Sequence, residues 1–230
     1  MNILVCVKQV PDTTEIKIDP VKHTLIREGV PSIVNPFDAC ALELAVRLKE
    51  KEGGNVYVVS MGPAQAKNAL KECLSVGADQ AFLVTDRAFG GSDTLATSYI
   101  LSRAIGAIEK KTGGKIDVIF CGKQAIDGDT AQVGPEIAEH LDLPHATLAT
   151  AVEMRDGKLR VTVDTDEGYD ILEMALPALL TVTKTTFDPR RPSIKGKMMA
   201  NRAVITEITN EDPDMDCDQT RLGLKGSPTK

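Results

Sequence analysis

Tryptophan is missing from this chain of 230 residues, and aromatic side chains make up only 3% of it. With so few rings, an aromatic stacking platform for nucleic-acid bases is excluded as its main business. Positive charge is not in excess either: the formal net charge is −6 and there is no broad basic stripe, so no nucleic-acid partner is expected. No apolar run approaches the roughly 18 residues of a membrane span. Met1-Asn2-Ile3 leads directly into a strand-like run instead of a signal peptide, so the chain is expected to be cytoplasmic, with no membrane insertion. The three histidines (His23, His140, His145) have no metal-ligand spacing. The five cysteines (Cys6, Cys40, Cys73, Cys121, Cys217) are odd in number, widely spaced and mostly set in apolar runs. That is the pattern of reduced core thiols, not of a disulfide framework or a zinc site, and no metal is expected. GxGxxG, GxxxxGKS/T and GxSxG are absent too, which removes support for a common dinucleotide fingerprint, a P-loop and a hydrolase elbow. With no credible nucleophile or base, no catalytic residue is assigned. Any reaction would rest on a bound cofactor.

What is there is a regular alternation. Hydrophobic residues make up 42% of the chain, enough for a full core. Asn2–Val7 is a continuous apolar run, typical of a parallel strand covered on both faces. Glu15–Asp19 and Thr24–Arg27 read as a short hairpin. Asn35, Pro36 and Asp38 then open a helix with N-cap, first-position and first-turn residues, and Gly53-Gly54 stops it. Val56–Ser60, Ala81–Val84 and Ile116–Cys121 are further strands, separated by helices over Pro63–Val76 and from Asp93 to Lys110. Such repeats imply an α/β fold with a doubly wound, mainly parallel sheet. After Pro144 the texture changes. Asp156-Gly157 is a strong hairpin signal, Tyr169–Leu176 reads as another strand, and Pro177–Val182 can return to the sheet, so an antiparallel hairpin extension is expected.

The stretch Phe120–Leu141 is the centre of the pattern. Gly122 ends a buried strand, Asp127-Gly128-Asp129-Thr130 supplies turn and N-cap chemistry, and Val133, Ile137 and Leu141 mark one apolar helix face. A loop feeding a helix N-terminus offers free N–H groups and the positive end of a dipole, which suits a phosphate. The same residues also make a plain capped helix, and two aspartates there oppose an anion unless their carboxylates turn back onto helix N–H groups or bond a ribose. In a doubly wound sheet, however, ligands bind beyond the carboxyl ends of the strands. Lys8–Thr13, Ser60–Pro63, Thr85–Asp93 and Cys121–Thr130 all leave those ends, and they are rich in Gly, Pro, Asp and Thr. Their convergence favours a nucleotide-type ligand. Farther on, Lys184, Arg190, Arg191, Lys195, Lys197 and Arg202 surround Pro189, Pro192 and Met198-Met199, which reads either as a solvated loop with a short helix or as a docking surface. Thr206–Asp218 is acidic and reads as a solvated or poorly ordered linker.

Val7-Lys-Gln-Val-Pro-Asp12, Asn35-Pro-Phe-Asp38, Met61-Gly-Pro63, the run from Gly122 to Pro135 and Arg191-Pro-Ser-Ile-Lys-Gly-Lys-Met198 together resemble the beta subunit of electron transfer flavoproteins. The resemblance covers essentially the whole chain and implies a Rossmann-like nucleotide-binding fold paired with a flavin-carrying alpha subunit. It implies adenine-nucleotide contacts from Cys6, Val7 and Lys8, from Asn35, Pro36, Phe37 and Asp38, and from Met61. It extends them to Gly122, Lys123, Gln124, Ala125, Ile126, Asp127, Gly128, Asp129, Thr130, Ala131, Gln132 and Val133. One branch of the family holds AMP here as a structural ligand. The other holds FAD, takes hydride from NADH, and sends one electron to ferredoxin or flavodoxin and one to the alpha-subunit FAD, which serves a flavoprotein dehydrogenase of acyl-CoA or lactate type. Asp86–Thr94 and Val10–Thr13 resemble this electron-bifurcating branch, which adds Gly90, Gly91, Ser92, Asp93 and Thr94 to the cofactor set. Glycine at positions 90 and 91 would allow close backbone approach. Arg190, Arg191, Lys195, Lys197 and Met198 fall in the family's partner-docking loop. The implied organisation is a nucleotide-binding α/β domain over 1–205, with its docking loop at 183–202, and an acidic linker with the start of a C-terminal arm over 206–230.

Overall fold

A computed structural model describes residues 1–12 and 31–229, together with the backbone of 17–18 and 25–26. The chain opens with β1 (Asn2–Cys6), whose alternate residues Ile3 and Val5 face one side of the sheet and Leu4 and Cys6 the other, all buried. β2 (Gln9–Pro11) pairs antiparallel with β5 (Ser32–Val34), and β3 (Lys17–Ile18) pairs antiparallel with β4 (Leu25–Ile26), as the hairpin reading anticipated. The other residues of that hairpin, with Thr13 and His23, lie outside the described residues. Then follow α1 (Pro36–Glu52), β6 (Asn55–Met61), α2 (Lys67–Ser75), β7 (Gln80–Val84), α3 (Thr94–Thr112), β8 (Val118–Gly122) and α4 (Val133–His140). The Asp93 side chain caps α3 by accepting from Ala96 N, and Gly113 ends it in the left-handed region at φ 72.

β9 (His145–Arg155), β10 (Lys158–Thr165) and β11 (Gly168–Met174) form the antiparallel extension. β12 (Ala178–Val182) returns to the sheet between β9 and β8, parallel to both. After α5 (Ile194–Arg202), β13 (Ile205–Ile208) adds a parallel edge beside β7. Among the described residues, nine strands make one sheet in the order β11-β10-β9-β12-β8-β1-β6-β7-β13. The fold is thus α/β, doubly wound and mainly parallel, with an antiparallel extension.

Two helical layers cover the sheet. Leu44, Leu48 and Leu70 of α1 and α2 pack with Val5, Phe120 and Leu180 on one face. Ile100, Ile108 and Ile137 of α3 and α4 pack with Leu4, Phe82 and Ile119 on the other. Each such side chain, taken fully out of water, contributes about 1.5–3 kcal/mol, which is why the apolar strands stay central.

The acidic stretch corrects one expectation. Thr206–Asp218 is not a solvated linker: Ile208 and Met215 are fully buried, the latter against the α3 face. Asp212 pairs with Lys111 at 2.8 Å and Asp214 with Lys110 at 3.2 Å. Two apolar anchors and a complementary basic end of α3 outweigh a composition that looks soluble.

Candidate functional site

The sheet order changes direction at β1. From it the chain builds outward through β6 and β7 on one side, and through β8 and β12 on the other. A crevice opens at such a switch point, beyond the carboxyl ends of the strands. Here Cys6 and Cys121 stand in register at the ends of β1 and β8. Above them is a cleft of about 400 Å³, lined by residues from Cys6–Lys8, Asp38, Val59, Met61, Ser92–Thr94, Thr97, Leu101 and the loop 121–125 and 128–134.

The walls are assembled from close backbone contacts. At Gly122 a Cβ would collide with Asp38 Oδ1, Asp38 N and Phe37 Cβ, so only glycine lets the first turn of α1 sit against the end of β8. Asp38 uses that closeness: its carboxylate accepts from Lys8 N at 2.7 Å and Gly122 N at 3.1 Å, joining both strand ends to α1. Burial pushes its carboxyl up from 3.8 to about 7, against the opposing pull of the Asn35 side chain, the Lys8 and Gly122 N–H groups and the Lys8 charge.

Asn35 stands at the N-cap position of α1, but its side chain makes no cap hydrogen bond. Instead Nδ2 donates to Gln124 O at 2.8 Å, and Oδ1 accepts from Ile126 N at 3.2 Å. The residue braces the loop across from α1 while 1% exposed, so neither polar group can turn to water. The two aspartates also differ from the capping reading, since Gln132 holds the N-cap position of α4 without a side-chain bond. Asp127 accepts from Lys8 Nζ at 2.7 Å, and Asp129 accepts from Gln124 Nε2 at 2.7 Å. Among the described residues, neither carboxylate turns back onto helix N–H groups: Asp127 ties the loop to Lys8, the residue after Val7, and Asp129 closes on the loop itself. Asp129 and Ala131 have φ of 54° and 55°, uncommon for residues with a Cβ. Left-handed residues in an exposed turn are the backbone form from which anion-binding concavities are made.

Ser92, Asp93 and Thr94 form the facing wall at the start of α3. Thr94 Oγ1 donates to Glu136 Oε1 at 3.2 Å, tying that wall to α4, while Glu136 Oε2 is buried with no protein partner. Of the residues expected to contact a ligand, Cys6, Val7, Lys8, Asp38, Met61, Ser92 to Thr94, Gly122 to Ala125 and Gly128 to Val133 line the cleft. Asn35, Pro36, Phe37, Ile126 and Asp127 are not among the lining residues. Gly90 and Gly91 do not reach it. Gly91, at φ 75°, faces Leu224, and Ser227 and Thr229 bond to Asp93 from the same segment. Val59, Thr97, Leu101, Cys121 and Gly134 line the cleft without having been expected. Thr94, Thr97 and Leu101 are spaced three and four apart, so one helix face carries the wall onward, a signal that was readable in the sequence.

Farther along, Arg191, Lys195, Lys197 and Met198 are exposed on or beside α5, and Arg190 is half-buried against α1. A wider groove of about 660 Å³ lies between α1 and the antiparallel strands. Most of its charges are matched, Arg160 with Glu153 at 3.0 Å and Arg190 with Glu50 at 2.6 Å, and it lies away from the switch point. The strand-end cleft is therefore the stronger candidate.

Comparison with known proteins matches residues 22–213 to the electron transfer flavoprotein domain. The whole chain is 55% identical to the electron transfer flavoprotein subunit beta of Thermoanaerobacterium thermosaccharolyticum, covering 86% of it. The chain belongs to the electron transfer flavoprotein family, as a beta subunit. It is also 48% identical over its full length to the caffeyl-CoA reductase-Etf complex subunit CarD of Acetobacterium woodii, covering 86% of that protein. Protein FixA of Sinorhizobium fredii is 44% identical, again over the full chain and 81% of the relative. In this beta subunit no described helix is long and apolar enough to cross a membrane, and the described residues hold no cluster of side chains suited to a metal ion. Its described cysteines are free thiols, four of them buried.

Proposed function

We propose that this beta subunit pairs with a flavin-carrying alpha subunit, binds FAD in the strand-end cleft, and bifurcates electrons drawn as hydride from NADH. One electron of each pair goes to ferredoxin or flavodoxin, and the other to the alpha-subunit FAD for a partner flavoprotein dehydrogenase. FAD, when bound, supplies both the two-electron exchange with nicotinamide and the one-electron exchanges. The protein supplies binding, orientation and exclusion of water.

The observation that carries this reading is the cleft at the switch point, walled by a backbone-built loop on one side and the start of α3 on the other. Its volume suits a nucleotide-sized ligand. The loop from Gly122 to Val133, with Asp129 and Ala131 in left-handed backbone, suits phosphates through its N–H groups and through Thr130 or Gln132. Lys123 adds positive charge at the same rim, Lys8 offsets the charge of Asp127, and Asp129 is held by a hydrogen bond from Gln124. Ser92 to Thr94, Thr97 and Leu101 extend the lining beyond the loop, giving room for a group larger than AMP. The name of the CarD relative, a subunit of a caffeyl-CoA reductase complex, supports a dehydrogenase acting on CoA thioesters as the partner. α5, with Met198 and Met199 exposed beside Lys195 and Lys197, suits that docking role.

The second reading, AMP as a structural ligand, is favoured by one observation. Gly91 is packed by Leu224, and neither Gly90 nor Gly91 lines the cleft. Anaerobic titration of the purified alpha–beta pair with NADH separates the readings. The bifurcating reading predicts bleaching of flavin absorbance and, with ferredoxin and a dehydrogenase substrate present, NADH-driven ferredoxin reduction. A pair whose flavin is not bleached by NADH contradicts it.

A further inference from the structure

Among the described residues, Arg190 is the one cation of the segment 183–202 withdrawn into a set of hydrogen bonds with another element. Its Nε donates to Glu43 Oε2 at 2.8 Å and its Nη2 to Glu43 Oε1 at 3.1 Å. Nη1 and Nη2 also donate to the two oxygens of Glu50, at 2.6 and 3.2 Å, and the Arg190 backbone N–H donates to Glu43 Oε2 at 3.1 Å. Glu43 and Glu50 are two turns apart on one face of α1, and Glu43 is only 3% exposed. Arg47, one turn on from Glu43, donates to Oε1 at 2.6 Å and stacks 3.8 Å over the Phe187 ring. A carboxylate buried in mid-helix adds little net stability compared with an apolar side chain. Its fork to Arg190 does fix a position.

α5 needs such a fix. Ala200 is its one buried residue, and nine residues of helix are marginal alone. Ser193 caps it by accepting from Gly196 N at 3.0 Å, and Gly196 lies so close to Ser75 O at the end of α2 that a Cβ would collide. The apolar side chains of the helix and its exit face water instead: Ile194 is 82% exposed, Met198 54%, Met199 62% and Val204 85%. α5 turns almost no apolar area of its own inward. The chain entering it is held by the Phe187 ring, packed against the core and under Arg47, and by Arg190, three residues before the cap.

We propose that Arg190 is a positioning residue, a latch on α1 that holds the segment 183–202 so that α5 presents Ile194, Met198 and Met199 to a partner protein. This rests on the docking reading above and departs from it at one residue: Arg190 does not touch the partner. A segment ordered in advance binds more tightly than one ordered on contact, so loss of the latch weakens docking by roughly tenfold.

The test uses the complete alpha–beta pair carrying R190Q, R190K, E50Q or M198D. Two purified flavoprotein dehydrogenases, one of acyl-CoA and one of lactate type, serve as probes. Binding constants, hydrogen exchange over 187–202, melting temperature and bound nucleotide are measured together. R190Q is expected to raise Kd about tenfold for the dehydrogenase that the wild type binds, and to raise exchange over 187–202, with nucleotide content unchanged. R190K falls between R190Q and wild type, because one ammonium replaces a planar fork. E50Q has the smallest effect, since Glu43 still holds the latch. R190K keeps a charge beside buried Glu43 and secures the comparison should R190Q fail to fold. M198D is expected to lose binding with no change in exchange. Wild-type exchange and binding in R190Q overturn the latch. So does weaker, salt-sensitive binding with unchanged exchange, which would make Arg190 a direct contact. If M198D binds as well as wild type, or the wild type binds neither dehydrogenase, the docking reading falls and the latch's part in docking falls with it.

Discussion

The strand-end cleft and the α5 surface are built by opposite means. Around the cleft, glycines allow close approach, Gly122 to the first turn of α1 and Gly134 to the Thr181 side chain, and the polar groups that hold the walls, Asn35 and Asp38, are buried. On α5 the large apolar side chains are exposed, and the base is secured by the Phe187 ring, the Arg190 fork and the close approach of Gly196 to α2. The contrast suits the two proposed tasks. A small ligand gains from walls that do not move, because each misplaced donor costs affinity. A protein partner gains from apolar area left unspent by the domain. Helix α1 serves both, with Asp38 in its first turn and Glu43 and Glu50 beyond.

The strongest way to break the contrast is to push the two walls of the cleft apart. Gly122→Val drives a side chain into Asp38 and Phe37, and overpacking of this kind costs about 2–3 kcal/mol. Urea unfolding should show that loss together with depleted nucleotide, and unchanged stability would mean that the α1–β8 contact is loose. Asn35→Ala comes next. It strands the Ile126 N–H and the Gln124 carbonyl, for about 2 kcal/mol, and is expected to weaken nucleotide retention by about tenfold. Retention equal to wild type on dilution would show that the loop needs no brace.

Asp38 gives a pH signature confined to the cleft. Its carboxyl is raised by burial to about 7 from an ordinary 3.8, so the folded state holds the proton more tightly than the unfolded chain. The resulting stability is present below 3.8, declines as pH rises, and is gone above about 7. Asp38→Asn should flatten that decline in unfolding curves taken across the range, and an unaltered slope would assign it to other groups. The smallest effect is expected at Gly91→Ala. A left-handed residue with a Cβ costs about 1–2 kcal/mol, Leu224 can swing away, and nucleotide content should not change because the position faces away from the cleft. Loss of nucleotide in this variant would reopen Gly90-Gly91 as a ligand contact.

Much of this architecture was legible before any coordinates. β1, β6, β7 and β8 are continuous apolar runs closed by turn residues, and Asn35-Pro36 and Asp93 mark helix starts where helices do start. The lining from Gly122 to Ala125 and from Gly128 to Thr130 followed from topology, since strand-end loops must converge at a switch point, and Ala131 to Val133 followed from the family resemblance. What stayed hidden were contacts between residues distant in sequence. Nothing local to Asn35 says that its side chain turns from its own helix to another loop. Leu224 covering Gly91 is of the same kind. Met215 and Ile208 were masked by acidic neighbours, because composition averages over a stretch while burial depends on single side chains. Arg190 looked like its neighbours for the same reason. Its difference lies in Glu43 and Glu50, which only the fold brings to it.

The claim at the centre is that the cleft holds a flavin nucleotide and not AMP alone. Acid release and quantification of nucleotides from the intact alpha–beta pair tests it most directly. The account predicts two FAD and no AMP per pair, and one FAD with one AMP would contradict it.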